Sequence, residues 1–294
     1  MNKQTLLQIL HQFVPDLSIE SANVNHVGWD HDILFVNDEL VFRFPKTEMV
    51  RRHTERELAL LKALRKAGPV LLVPHCQELR DASGRIVAIY YPIVKGKSLS
   101  TIQPEDLLFN ENNAKLLGKF LSTLHSISAS QIESINFTIH TQDYWEKFYT
   151  AVQKGIFPHL PKEEVKLVSQ TFTSFLERNR EKTGTKTWIH GDLSADNIIF
   201  NEENGVINGI IDFTDSQYGD PAFDFAGFYW DYGPAFTRQV LHHYQGIEPS
   251  ERLYERVRDF YGLQPVFHEL LYQLKQGQPV NWPTALNKFK LLRK

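Results

Sequence analysis

The chain has 294 residues, 42% hydrophobic and 23% charged, and a formal net charge of -3. That composition belongs to a globular protein with one large core or two smaller ones. It excludes a strongly basic nucleic-acid binder and a polybasic membrane-surface protein. The single cysteine, Cys76, rules out an intrachain disulfide and fits a reducing compartment. No apolar run approaches the ~20 residues needed to span a bilayer.

The N-terminus, "MNKQTLLQILHQFVPDL", is interrupted by Gln8, His11 and Gln12. It reads as an amphipathic helix, not a signal peptide, which places the protein in the cytoplasm. "HDILFV" and "ELVFRFP" are β-rich runs joined by a turn at "NDE". "MVRRHTERELALLKALRKAG" has apolar residues at helical spacing (Leu58, Leu61, Leu64) and stops at Gly68-Pro69. "LLVPHCQEL" and "RIVAIYYPIV" flank a turn at "RDASG". These segments predict a small antiparallel sheet with one helix over residues 1–94.

Past "KGKSL" the pattern changes. "PEDLLFNENNAKLLGKFLSTLHSI", "TQDYWEKFYTAVQKG" and "KEEVKLVSQTFTSFLERNREKTG" are helical. A β-rich pair follows in "NIIFNEENGVINGIIDF", and the remainder is mostly helical. The expected fold class is α+β: a β-rich lobe over 1–94, a helical lobe over 95–294, and a cleft between them suited to small molecules.

"HGDLSADN" and "GIIDFTD" bring chemistry into that cleft. Asp192 precedes Asn197 by five residues and Asp212 by twenty. A hairpin between Asn197 and Asp212 would return its ends to one place. Hard oxygens from Asn197 and Asp212 suit Mg²⁺, which takes few carboxylates and keeps water and phosphate as further ligands. Asp192 is then left to orient a hydroxyl and receive its proton, the division of labour of phosphoryl transfer. Singly, these residues read as turn caps or strand ends; their order and spacing favour the site.

These motifs resemble those of the aminoglycoside phosphotransferases and their kinase-like relatives. "HGDLSADN" matches the H-G-D-x-x-x-x-N catalytic loop, "IIDFTD" the I-D-[FW] metal motif, and "GDPAFDFA" the G-D-P-x-x-D segment. The strand "VFRFPK" is similar to that of the 2''-aminoglycoside enzymes, and macrolide phosphotransferases look similar too. The resemblance implies a bilobal protein-kinase-like fold, a monomer, ATP or GTP as phosphate donor, Mg²⁺, and an alcohol acceptor. It makes Asp192 the catalytic base and Asn197 and Asp212 the metal ligands. His190 would be structural, and Asp220 would brace the loop.

At the nucleotide end the family's phosphate-covering loop falls at "HVGWDHDILF", where Gly28 is the sole glycine. Arg43 stands where relatives carry a phosphate-reaching lysine, with Glu57 as its helix partner. Arginine keeps the charge and can bind carboxylate or phosphate with two donors. Lys46, beyond Pro45, is a second candidate. Tyr91 would back the purine pocket, and the backbone of Ile93 and Val94 would meet the base.

Acceptor residues are sought among Asp196, Asp215, Asp224, Asp231, Glu248, Glu251 and Glu255, whose carboxylates suit a polycationic aminoglycoside. "FAGFYWDYGPAF" reads first as core. Tyr229, Trp230 and Tyr232 offer an apolar wall for a macrolide instead. A kinase of a metabolite alcohol (sugar, choline or homoserine) stays open. Arg43 and the glycine-poor loop leave room for a catalytically weak nucleotide-binding module. A metal hydrolase built on His190 and Asp192 is disfavoured, because no second histidine lies at ligand spacing.

Overall fold

The computed structural model describes residues 1–25, 30–104, 110–132, 138–181 and 185–293. Helix α1 (Lys3–Phe13) begins where the Asn2 side chain accepts from the Thr5 N–H. Its Leu6 and Leu10, one turn apart, pack on Leu34, Phe42, Phe44 and Leu79. Those residues line one face of a five-stranded sheet in the order β1-β2-β3-β5-β4. The strands are β1 (Ala22–Asn25), β2 (His31–Val36), β3 (Leu40–Pro45), β4 (Gln77–Arg80) and β5 (Ile86–Pro92). Every neighbouring pair is antiparallel. The β2–β3 turn places Asn37 and Asp38 at φ 56° and 53°. Asn and Asp accept that left-handed conformation more readily than most residues.

Alternation along β3 sends Phe42 and Phe44 toward α1 and Arg43 to the opposite face. Helix α2 (Glu48–Ala67) is capped by Thr47 and ends at Gly68, whose φ of 71° suits a residue without a Cβ. Its fully buried leucines are Leu60, Leu61 and Leu64. Leu58, expected on the inner face, is half-buried instead. The buried stripe is rotated because Thr54, Arg56 and Glu57 also point inward, toward the cleft. Of "LLVPHCQEL" only the end is strand, as the start of β4 (Gln77–Arg80). Pro74 has no N–H to offer a ladder. Leu72 instead bonds Asn208 (3.0 Å) and Ile210 (2.9 Å), tying the small lobe to the large one.

The large lobe contains α3 (Asn112–His125), α4 (Gln142–Gly155), α5 (Lys162–Glu181), α6 (Ala226–His242), α7 (Ser250–Arg256), α8 (Pro265–Lys275) and α9 (Trp282–Leu292). Part of the helix expected from Pro104 onward lies outside the described residues. Trp145, Phe172, Phe228, Phe260 and Phe267 fill the interior, and Leu60, Leu61 and Leu64 of α2 join them. Each such side chain stabilises by about 1.5–3 kcal/mol on burial. Two small sheets surface from this core: β6 (Lys97–Ser98) with β8 (Ile198–Asn201) and β9 (Val206–Ile210), and β7 (Thr187–Ile189) with β10 (Gln217–Gly219). They carry the loops that face the first lobe.

Candidate active site

The loop between β7 and β8 is held by one buried carboxylate. Asp224 accepts the His190 N–H at 2.8 Å and the Gly191 N–H at 3.0 Å. His125 lies 3.1 Å from the same carboxylate, and its other ring nitrogen meets the Tyr244 hydroxyl at 2.9 Å. Burial would raise the Asp224 pKa, but His125, His190 and the backbone donors hold it below the usual carboxylate range. Gly191 has φ 82°, and a Cβ there would stand 2.2 Å from the Asp215 carbonyl oxygen. Only glycine fits.

His190 is fully buried. Its Nε2 lies 3.0 Å from the Ile211 carbonyl, and its Nδ1 accepts from the Asp192 N–H at 3.3 Å. These partners assign the proton to Nε2 and leave the ring neutral. Burial lowers its pKa in the same sense. The ring lies tilted against Phe213, centroids 4.5 Å apart, and thus joins the β7–β8 loop to the Asp212 segment.

Asn197 donates through Nδ2 to the Asp192 carbonyl (2.8 Å) and to its carboxylate (2.9 Å). A carboxylate only accepts, so the amide nitrogen must face it and Oδ1 is directed elsewhere. The Asn197 carbonyl accepts from the Ile211 N–H at 2.9 Å, and Ile198 pairs with Ile210 across the β8–β9 hairpin. The hairpin therefore returns the chain to its start and sets Asp212 beside Asn197 and Asp192. Asp212 has φ 60°, a conformation costly for a residue with a Cβ. Thr214 secures it, donating from Oγ1 to Asp212 Oδ1 at 2.6 Å.

Arg43 crosses the cleft to this point. Its Nη1 meets Glu57 at 2.6 Å, and its Nη2 meets Asp212 at 3.0 Å and the Thr214 hydroxyl. Burial would lower the Arg43 pKa, but Glu57 and Asp212 drive it well above the ordinary value. Burial would raise Asp212; Arg43 and Thr214 outweigh it and set the carboxyl at about 2. Asp192 moves the other way. Withdrawal from water, then Asp215 and Asp212, push it up to about 7, against the Asn197 amide. Its side chain opens onto the cleft.

Asp192 also lines a cavity of 500 Å³, together with Asp196, Asp215, Trp230, Asp231 and Glu269. Four of the acceptor residues expected from sequence thus share one cavity. Burial, then Asp30 and Asp212, raise Asp215 to about 6. Tyr229 does not join them. It is core, with its hydroxyl donating to the Leu292 carbonyl at 2.7 Å. Helical phase turns residue 229 inward and 230 and 231 outward. Glu248 and Glu251 are paired with Arg256 and Arg238.

Asp220 does not brace the loop. It caps the turn at Ala222 (2.9 Å), pairs with Arg256 and accepts from Tyr261. Asp224, four residues later in the same motif, takes the bracing position, away from the acceptor. At the nucleotide end, Tyr91 is buried beside Arg43. The Ile93 N–H already donates to the Glu39 carbonyl at 2.7 Å, so that amide is closed to a base. The Ile93 carbonyl and the Val94 backbone remain as candidates. Lys46 lies 3.9 Å from Asp32, while Arg43 has the helix partner. Gly28 lies outside the described residues. Thr214 and Asp224 were not singled out for these roles from the sequence, although a hydroxyl two residues past Asp212 was a legible signal.

Among the described residues no three or more His, Cys, Asp or Glu side chains converge as a metal cage. The Asn197–Asp212 pair is a sparser oxygen set, of the kind Mg²⁺ takes when phosphate completes its sphere.

Residues 21–260 match the phosphotransferase enzyme family. The chain belongs to this family. It is 24% identical over 291 residues to the uncharacterized protein YcbJ of Bacillus subtilis (strain 168), covering 89% of this chain and 88% of that protein. Its fold is that of the GDP complex of wild-type aminoglycoside 2'-phosphotransferase-IIIa, with TM-score 0.78, 23% identity, and coverage of 100% of this chain and 99% of that one. The macrolide 2'-phosphotransferase MphH from Brachybacterium faecium is also similar, with TM-score 0.67, 18% identity, and coverage of 97% and 98%. The bilobal kinase-like architecture expected from the motifs is the observed one.

Proposed function

We propose that the protein moves the γ-phosphoryl group of ATP or GTP to a hydroxyl of an aminoglycoside-like acceptor. The carrying observation is the Asn197 side chain bonded to Asp192 while its carbonyl holds Ile211, the neighbour of Asp212. Residues 1–94 form the nucleotide-binding lobe in this reading, and 95–294 the catalytic lobe. Asn197 Oδ1 and Asp212 would hold Mg²⁺, which when bound neutralises charge on the phosphates. Asp192 orients the acceptor hydroxyl and takes its proton as the oxygen–phosphorus bond forms. The bond from the γ-phosphorus to the bridging oxygen breaks, and the nucleoside diphosphate leaves. Arg43, braced by Glu57, presents a fixed positive charge over the phosphate site. Asp196, Asp215 and Asp231 line the acceptor cavity with negative charge. We place the enzyme in the cytoplasm as a monomer; no described helix is long and apolar enough to cross a membrane.

A macrolide acceptor is the second reading, because Tyr144, Phe223 and Trp230 give the same cavity an aromatic wall. The deciding measurement is nucleoside diphosphate release by the pure protein with Mg²⁺ and ATP or GTP, against aminoglycosides, macrolides and simple metabolite alcohols. Acceptor-dependent release with an aminoglycoside is expected. Nucleotide binding without release for any acceptor would make the protein a non-catalytic nucleotide module.

Arg43→Lys is expected to keep kcat/KM within about tenfold, since the charge persists and one carboxylate can still be met. Steady-state kinetics read this directly. A fall to background shows that the fork joining Glu57 to Asp212 is itself required.

A further inference from the structure

Beside the acceptor cavity, against the ring of one of its wall residues, lies a cation of the chain's own. The Lys288 ammonium, on α9, sits 4.4 Å from the centroid of the Trp230 ring. Asp231 and Glu269 both act on it electrostatically. Trp230, Asp231 and Glu269 all line the cavity. An aromatic face flanked by carboxylates is a general means of recognising an organic ammonium. Here three helices build it: α6 supplies Trp230 and Asp231, α8 supplies Glu269, and α9 supplies the occupant. Gln264, just before α8, also lines this cavity, and it is 4% exposed. Its Oε1 is buried without a hydrogen-bond partner. A buried acceptor left unmet is costly, and this one belongs to a residue of the cavity wall.

We propose that Trp230, Asp231, Glu269 and Gln264 form an amine subsite, and that Lys288 is a tethered competitor for it. The proposal rests on the phosphotransferase reading of the cavity and deepens it. A cationic acceptor must displace Lys288 from Trp230 before its own ammonium can be seated. Lys288 thereby sets how strongly charged acceptors are preferred over neutral ones. Gln264 then accepts from the seated amine or from a neighbouring hydroxyl. A tethered group competes at high effective concentration, so its removal strengthens binding without adding any contact.

Calorimetric titration of the full chain tests this with kanamycin, with spermidine as a polyamine lacking hydroxyls, and with inositol as a neutral polyol. Lys288→Gln is expected to lower the Kd of both amines roughly tenfold and to leave inositol unchanged. Lys288→Met, which keeps the apolar stem over the ring, should give the same gain. Adding Trp230→Leu should remove it. Equal or weaker amine binding in both Lys288 variants overturns the proposal, as does a wild type and variants that bind neither amine. Tighter amine binding without phosphoryl transfer to any acceptor would sink the enzymatic reading and leave the subsite standing. Transfer with unchanged amine affinity would do the reverse.

Discussion

Asp192→Ala lowers kcat by about 10²–10⁴-fold, the general scale for losing a positioned base, and changes nucleotide affinity little. Three features of the site lead to this expectation. The Asp192 carboxylate opens onto the acceptor cavity and is not buried in a structural pair. Its one side-chain partner is the Asn197 amide, which fixes its direction. Its surroundings raise its proton affinity, with Asp215 and Asp212 as the charged contributors. A carboxylate so placed is a better proton acceptor than one with the ordinary proton affinity, and it remains within reach of solvent. The nucleotide is expected to be held elsewhere, by Arg43 and the backbone near Val94. Initial-rate kinetics and direct nucleotide titration separate these contributions. A parallel loss of turnover and nucleotide affinity would show that Asp192 organises the loop and does not take the proton.

Asp224→Ala is the second large effect, and it acts mainly on stability. The carboxylate is 1% exposed and satisfies two backbone N–H groups of the catalytic loop as well as His125. Alanine leaves the two amides buried without acceptors and strips His125 of its charged partner. Breaking a buried hydrogen-bonded pair by removing one side costs about 3–5 kcal/mol. For a chain of this length the unfolding midpoint should fall by roughly 6–10 °C. Asp220→Ala is the informative control. Its partners Arg256 and Tyr261 are partly solvated or lie away from the loop, so its effect on turnover should be smaller. Differential scanning calorimetry on both variants, with turnover measured below the lower midpoint, decides the matter. An Asp224→Ala protein that melts like wild type would contradict the bracing role.

Much of this site was legible before any fold was known. The amphipathic first helix, the hairpin at Asn37-Asp38 and the stop at Gly68 are local events, governed by periodicity, capping and backbone sterics within a few residues. The grouping of Asp192, Asn197 and Asp212 was also legible, because a single hairpin joins them and its length limits where its ends can go. Alternation along β3 likewise placed Arg43 opposite Phe42 and Phe44.

Other assignments needed the packed molecule. Asp220 and Asp224 sit in one motif with the same side chain, and only the path of the chain through Pro221 puts the second beneath His190. Tyr229 and Trp230 are equally aromatic neighbours; helical phase against the core sends one inward and the other to the cavity. The Ile93 amide is closed by a carbonyl from β3's approach, which no pattern near residue 93 announces. Lys288 meets Trp230 across 58 positions of sequence. By itself, then, the sequence determined the elements and the chemistry that depends on near neighbours. Tertiary structure alone decided which of several similar side chains faces the cleft, because that choice depends on burial and charge contributed by residues far away along the chain.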